Sequence, residues 1–197
     1  MGVAAHRLYI KHDYGAPDID LGPLELEPTR LLQAADAVQA LLRRTCATLG
    51  LKPADCIFAG SSKGGSAALY HGLVFGAGDI LPGGPQVMFG DSVRPRLRGL
   101  PREELDGLVE WLNGALFEEI RLRRASMPRI LVHVGRGDPH HAEHAVPLKA
   151  FVDKEGIGGV ELAVDDYATH SELPAHYRVF LRREVLRILE EQEAPAA

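Results

Sequence analysis

The chain has 197 residues, 46% of them hydrophobic and 25% charged, which is enough for one domain with a buried core. A formal net charge of -5 argues against nonspecific nucleic-acid binding, because the chain has no excess of basic residues to neutralise phosphates. No apolar run approaches the about 20 residues that span a bilayer, and two cysteines, Cys46 and Cys56, are too few for a disulfide framework. These features predict a single domain over residues 1–197 in the cytoplasm, with no membrane span.

Short apolar runs alternate with longer amphipathic segments along the chain. Continuous apolar or β-branched runs predict strands at residues 7–11, 55–59, 85–90, 129–135 and 159–164. Helical spacing of apolar residues predicts helices at residues 29–49, 63–75, 102–125 with an interruption near 113–114, 147–155, and from Pro174 to a frayed tail at 190–197. Such alternation is typical of the α/β class, here a three-layer α/β/α sandwich with a mainly parallel sheet.

The sequence "AGSSKGGS" at residues 59–66 joins the second predicted strand to the helix that follows it. It has neither the Gly-Lys-Ser/Thr ending of a Walker A loop nor the spacing of a dinucleotide fingerprint. It does contain G-x-S-x-G, in which a serine is exposed on a sharp turn and flanking glycines relieve crowding. Gly60 and Gly64 are the motif glycines, so the spacing selects Ser62 rather than Ser61 as the nucleophile.

Two later residues are placed to activate that serine. Asp138 follows the strand predicted at 129–135, and His170 follows the strand predicted at 159–164. The carboxyl ends of parallel strands meet at one edge of a sheet, where sites form. A serine needs a base, and the imidazole needs a carboxylate, so the order Ser62, Asp138, His170 predicts a catalytic triad. Asp91, after the strand predicted at 85–90, is the alternative acid.

Two backbone N–H groups are expected to form an oxyanion hole. The first is that of Lys63, directly after the nucleophile. The second normally follows a strand beside the nucleophile strand. The strand predicted at 7–11 is the only one before it, so the candidates are His12, Asp13 and Tyr14, and we select Tyr14.

Other polar residues receive structural interpretations. Asp165 and Asp166 are expected to shape the loop before His170, His176 to lie on the surface of the last helix, and His133 to be a core histidine. Residues 76–100 are expected to rim the pocket, and within them Arg94, Arg96 and Arg98 either contact an acidic substrate or are solvated.

The segment "DPHHAEH" at 138–144 has the residue types of a zinc site. Its candidate ligands are Asp138, His140, His141 and His144. No second ligand set accompanies them, so we predict no metal and no cofactor. A metal-dependent hydrolase is the alternative, and it would lose activity with a chelator.

The order of elements, the G-x-S-x-G turn and the late Asp and His resemble the α/β-hydrolase superfamily. More narrowly, "GSSKGGSAALYHGL" and "GDILPGGPQVMFGD" resemble hydrolase-like proteins of capsular-polysaccharide biosynthesis. They are also similar to the serine O-acetyltransferase component of the accessory secretion system for glycosylated adhesins. Those relatives have further strands before the first one here, so the resemblance implies a truncated, minimal α/β-hydrolase fold. It also implies an acceptor site that is absent or supplied by a protein partner or a homo-oligomer.

The resemblance implies that Ser62 carries an acyl group, with Asp138 and His170 assisting. We therefore predict a serine-dependent acyl-ester hydrolase or O-acyltransferase for a small-molecule or glycan ester. The alternative is a noncatalytic hydrolase-fold scaffold in capsular polysaccharide biosynthesis or secretion.

Overall fold

The structure, a computed structural model, describes residues 5–10, 28–96 and 100–193. At its centre four parallel strands lie side by side in the order of the sequence: β1 (Ile57–Ser61), β2 (Asp79–Gly83), β3 (Arg129–Gly135) and β4 (Val160–Asp165). Because all four run in one direction, their carboxyl ends lie along one edge of the sheet.

Helices precede, connect and follow these strands. They are α1 (Pro28–Leu49), α2 (Lys63–Phe75), α3 (Phe89–Val93), α4 (Arg102–Leu122), α5 (Val146–Lys154) and α6 (Leu173–Glu193). A single π-helical turn, His141–Ala145, leads into α5, and a short 3-10 turn, His170–Glu172, leads into α6. None of the helices in the described part of the chain is long and apolar enough to cross a membrane.

Successive residues of the strands point to opposite faces of the sheet, as strand geometry requires. Ile80 and Ile130 lie in a core cluster with side chains of α2, α4 and α5. Leu81 and Leu131, the next residues along, pack in a second cluster with α6. The protein is therefore an α/β structure with helices on both faces of a parallel sheet, which confirms the predicted class.

The predicted strands agree with the structure in the second half of the chain and differ in the first. β3 occupies the residues predicted, 129–135, and β4 begins one residue later than predicted. β1 begins two residues later than predicted. The prediction of a strand at 7–11 is wrong, because residues 7–10 form no strand and are exposed, while Lys11 lies outside the described residues.

The strand predicted at 85–90 is also wrong. Residues 85–88 form no strand, and Phe89 begins α3; the apolar Val87 packs into the core from this segment. The real strand, β2, was missed because Pro82 interrupts its apolar run. Pro82 has no N–H, and the pairing of β2 with β3 accordingly skips Leu81 and Pro82 before it resumes where Gly83 pairs with His133.

The helix limits differ less. α4 runs through Asn113 and Gly114 without the predicted interruption and ends at Leu122. The side-chain oxygen of Asn113 accepts a hydrogen bond from the Asp91 N–H at 3.2 Å, so this residue joins α4 to α3 instead of ending a helix.

A tyrosine from α6 joins the helix to the sheet beside the Gly- and Ser-rich turn. The Tyr177 hydroxyl accepts the Gly60 N–H at 2.8 Å and donates to the Leu81 carbonyl at 2.6 Å. Direct pairing of β1 and β2 continues with the Ser62 N–H and the Gly83 carbonyl at 2.7 Å. The hydroxyl thus bridges a position where the two strands would otherwise bond directly. Burial raises the pKa of Tyr177, so the hydroxyl keeps the proton that it donates.

Candidate active site

Ser62 lies on a sharp turn between the last residue of β1 and the first residue of α2. Its φ is 54° and its ψ is -125°, and it is the only residue other than glycine with positive φ in the described ranges. A residue with a side chain is strained in that backbone conformation, so its surroundings must hold it there. The Ser62 N–H donates to the Gly83 carbonyl, and the Ser62 carbonyl accepts the Ser66 N–H at 3.0 Å as α2 begins. Strand pairing and helix formation therefore hold the strained residue from both sides.

Two glycines at this turn lie where a side chain would clash with the backbone, and one of them is outside the G-x-S-x-G motif. A Cβ atom at Gly60 would lie 2.2 Å from the Gly64 carbonyl oxygen, and one at Gly65 would lie 2.8 Å from the Gly83 oxygen. A Cβ atom at Gly64 would meet nothing within 4 Å. The expectation that both motif glycines relieve crowding is thus wrong for Gly64, and the need for Gly65 was not apparent from the sequence.

Ser62, His170 and Asp138 form one hydrogen-bonded chain. His170 Nε2 lies 2.9 Å from Ser62 Oγ, and His170 Nδ1 lies 2.9 Å from Asp138 Oδ2. An ionised carboxylate can only accept, so the proton of this imidazole belongs on Nδ1, and Nε2 offers its lone pair to the serine hydroxyl. This is the arrangement in which an imidazole can remove a proton from serine.

The elements explain how residues so far apart in sequence meet. Asp138 follows β3, His170 follows β4, and Ser62 follows β1, so all three lie at the carboxyl edge of the sheet. The Asp138 side chain is fully buried, whereas that of His170 is 33% exposed. Asp91 is exposed in α3, and among the described residues its carboxylate accepts no hydrogen bond from His170. The structure therefore brings Asp138, not Asp91, to the imidazole.

The N-terminus of α2 begins at Lys63. The first N–H groups of a helix have no partner inside it and favour negative charge, which is what an oxyanion site requires. Tyr14, predicted as the second donor, and its neighbours His12 and Asp13 lie outside the described residues. The second donor therefore stays a prediction.

The predicted metal cluster is divided by the fold. Asp138 and His140 come together with His170, and one ligand atom from each lies within 4.8 Å of the others. His141 is not part of this group. His144 is buried, where its Nδ1 accepts the Met88 N–H at 3.5 Å. The segment is thus mostly helical and partly buried.

The other predicted histidines lie on the α6 side of the sheet. His133 is 2% exposed and stacks on Phe180, as expected of a core histidine. Asp165 Oδ2 lies 3.3 Å from His133 Nε2 and 2.9 Å from His176 Nδ1. The His176 side chain is 36% exposed, so it lies at the surface as expected but is also joined to β4. A cavity of about 400 Å³ lies beside these three side chains and Arg183.

Of the three arginines predicted at the rim of the pocket, the structure describes the side chain of Arg94. Arg94 is paired with Asp106 of α4 and so has a structural partner. The side chain of Arg96 and all of Arg98 lie outside the described residues.

Comparisons with known proteins bear on the fold. No protein-family model matches the sequence, and no curated protein matches it. Among solved structures, the capsule O-acetyltransferase of Neisseria meningitidis serogroup A matches with a TM-score of 0.64 at 22% identity, covering 75% of this chain and 63% of that one. The fold is α/β-hydrolase-like.

Two further structures support that assignment. The Glycosylation Associate Protein complex of Streptococcus agalactiae matches with a TM-score of 0.61 at 20% identity, over 83% of this chain and 33% of that one. A fluorophosphonate-binding serine hydrolase of Staphylococcus aureus matches with a TM-score of 0.53 at 13% identity, over 73% of this chain and 60% of that one. This chain spans less than two thirds of the length of each of the three.

Proposed function

We propose that this protein is a serine-dependent acyl-ester enzyme in which Ser62 is the nucleophile, His170 the general base and acid, and Asp138 the residue that orients His170. The observation that carries the proposal is the hydrogen-bonded chain from Ser62 Oγ through both imidazole nitrogens to a buried carboxylate. The strained backbone of Ser62 supports it, because such strain is concentrated at functional sites.

The chemistry follows from the positions of these groups. His170 Nε2 takes the hydroxyl proton as Ser62 Oγ attacks the ester carbonyl, and Asp138 stabilises the imidazolium that forms. The Lys63 N–H faces the oxyanion. Collapse of the tetrahedral intermediate breaks the ester bond, His170 returns its proton to the leaving alcohol, and the acyl group stays on Ser62. A water molecule or a second hydroxyl then takes up the acyl group by the same steps in reverse.

We propose a glycan or another small hydroxyl compound as the acyl acceptor. The resemblance to a capsule O-acetyltransferase favours transfer of the acyl group to a sugar, and the resemblance to a serine hydrolase favours hydrolysis. The competing proposal is a noncatalytic scaffold that keeps the turn as a feature of the fold.

The test is labelling of the folded protein with a fluorophosphonate probe, together with hydrolysis of p-nitrophenyl acetate. Ser62→Ala should abolish labelling, and His170→Ala should slow it by about 100-fold or more, because the general base is lost. Ser61→Ala is the matched control: it removes the neighbouring serine and should label at the wild-type rate.

Two results would contradict the proposal. Folded wild-type protein that takes up no probe and hydrolyses no ester would favour the scaffold. Hydrolysis that persists in Ser62→Ala and disappears with a chelator would favour a metal site at Asp138, His140 and His170 instead.

A further inference from the structure

His140 contacts the hydrogen-bonded chain at two points and Gly84 at a third, although the sequence marked it only as a candidate metal ligand. Its backbone N–H donates to Asp138 Oδ1 at 2.9 Å, which leaves Oδ2 for His170. Its Nδ1 lies 2.8 Å from the Gly84 carbonyl oxygen. Its ring packs on the ring of His170, with centroids 3.9 Å apart and an interplanar angle of 43°.

The His170 ring needs restraint. It lies in a short 3-10 turn, and its side chain is 33% exposed, so one side is open to solvent. Both of its nitrogens must keep hydrogen bonds of 2.9 Å at once, one to Ser62 and one to Asp138. A modest rotation about its side-chain bonds would lengthen at least one of them, and reactivity is sensitive to such misplacement.

Gly84 borders the same ring. A Cβ atom at Gly84 would lie 3.1 Å from His170 Cε1, so the imidazole lies close against the backbone there. The Gly84 carbonyl can only accept, so the His140 Nδ1 carries the proton that joins them. That hydrogen bond fixes the His140 ring in its place on the His170 ring. Gly84 and His140 together form a slot for the imidazole.

We propose that His140 is a positioning residue, whose ring forms one wall of the slot that holds His170 between Ser62 and Asp138. The inference rests on the proposed function, since it assigns His140 a role in the reaction of Ser62. The wall is aromatic and the contact is through the ring, so another flat ring should replace it, whereas a small side chain should not.

The experiment compares His140→Ala with His140→Phe, using the rate of fluorophosphonate labelling and the kcat and KM for p-nitrophenyl acetate. In His140→Ala the labelling rate and kcat should fall about 10- to 100-fold, the range expected for a misplaced catalytic group, with KM nearly unchanged. In His140→Phe most of the rate should return. His141→Ala is the matched control, because it removes the neighbouring histidine, for which no side-chain contact with Ser62, His170 or Asp138 is found among the described residues.

A wild-type rate in His140→Ala would overturn the inference, and so would equal losses in His140→Ala and His140→Phe while both stay folded by circular dichroism. If His140→Ala does not fold, His140→Phe against His140→Gln makes the same comparison of ring against no ring. Ser62→Ala in the same assay separates the two proposals. Activity that survives in Ser62→Ala contradicts the proposed function, whereas activity lost there but unaffected at His140 contradicts only this inference.

Discussion

At the scale of single residues, two glycines of the same motif have different surroundings. A methyl group at Gly60 would lie 2.2 Å from a backbone oxygen, which no side-chain rotation can relieve, whereas one at Gly64 would point into open space within α2. We expect Gly60→Ala to lower the free energy of unfolding by about 2–4 kcal/mol, as overpacking does when backbone must move. Urea unfolding monitored by circular dichroism measures the change.

Gly64→Ala is the matched control at this scale. It should be neutral, or stabilising by up to about 1 kcal/mol, because alanine is the better helix former. Its fluorophosphonate labelling should be unchanged, since the fold at Ser62 does not depend on it. Equal destabilisation by the two substitutions would mean that the turn needs glycine for a reason other than crowding.

At the scale of elements, the Tyr177 hydroxyl ties α6 to β1 and β2 through Gly60 and Leu81. Tyr177→Phe keeps the ring but leaves the partly buried Gly60 N–H and the buried Leu81 carbonyl without this partner. An unsatisfied buried polar group costs about 1–3 kcal/mol, and each 1 kcal/mol lowers Tm by about 2–4 °C in a protein of this size. Differential scanning calorimetry should therefore show a clear fall in Tm.

Tyr167 provides the comparison within the same core cluster. Its hydroxyl is equally buried but has no hydrogen bond of normal geometry among the described residues. Tyr167→Phe should leave Tm unchanged or raise it slightly, because no hydrogen bond of normal geometry is lost with that hydroxyl. A Tm for Tyr177→Phe equal to that of the wild type would show that the bridge between the strands contributes little.

At the scale of the whole molecule, buried neutral imidazoles make stability depend on pH. Burial lowers the pKa of His133, against the smaller opposing effect of the nearby Asp165 carboxylate; His176 and Arg183 also face this ring. In the unfolded chain the same imidazole has its ordinary pKa of about 6.5. As pH falls through that value the unfolded chain takes up a proton that the folded chain does not, so the free energy of unfolding decreases.

We expect the urea concentration at the unfolding midpoint to decrease as the pH is lowered from 7.5 to 5.5. Most carboxylates titrate below this range, so they contribute little to the change. His144 should contribute in the same direction, because burial also lowers its pKa. His133→Asn and His144→Asn should each reduce this pH dependence, whatever their effect on stability at pH 7.5. A midpoint that rises as the pH falls would contradict the prediction.

The sequence by itself determined the features that depend on local pattern and order along the chain. β3 was predicted residue for residue, because its short run is apolar and rich in β-branched residues, which favours a strand. The meeting of Ser62, Asp138 and His170 was predictable, because each follows a strand and parallel strands end at one edge.

The tertiary structure decided what depends on contacts between distant segments. β2 contains a proline, a residue that local rules exclude from the interior of a strand. The segment is a strand only because it is buried between β1 and β3. Gly65, Tyr177 and His140 likewise act through contacts with distant residues. Gly65 lies against Gly83, Tyr177 bonds to Leu81, and His140 contacts Gly84 and His170. Contacts between residues so far apart in the sequence cannot be inferred from a local pattern.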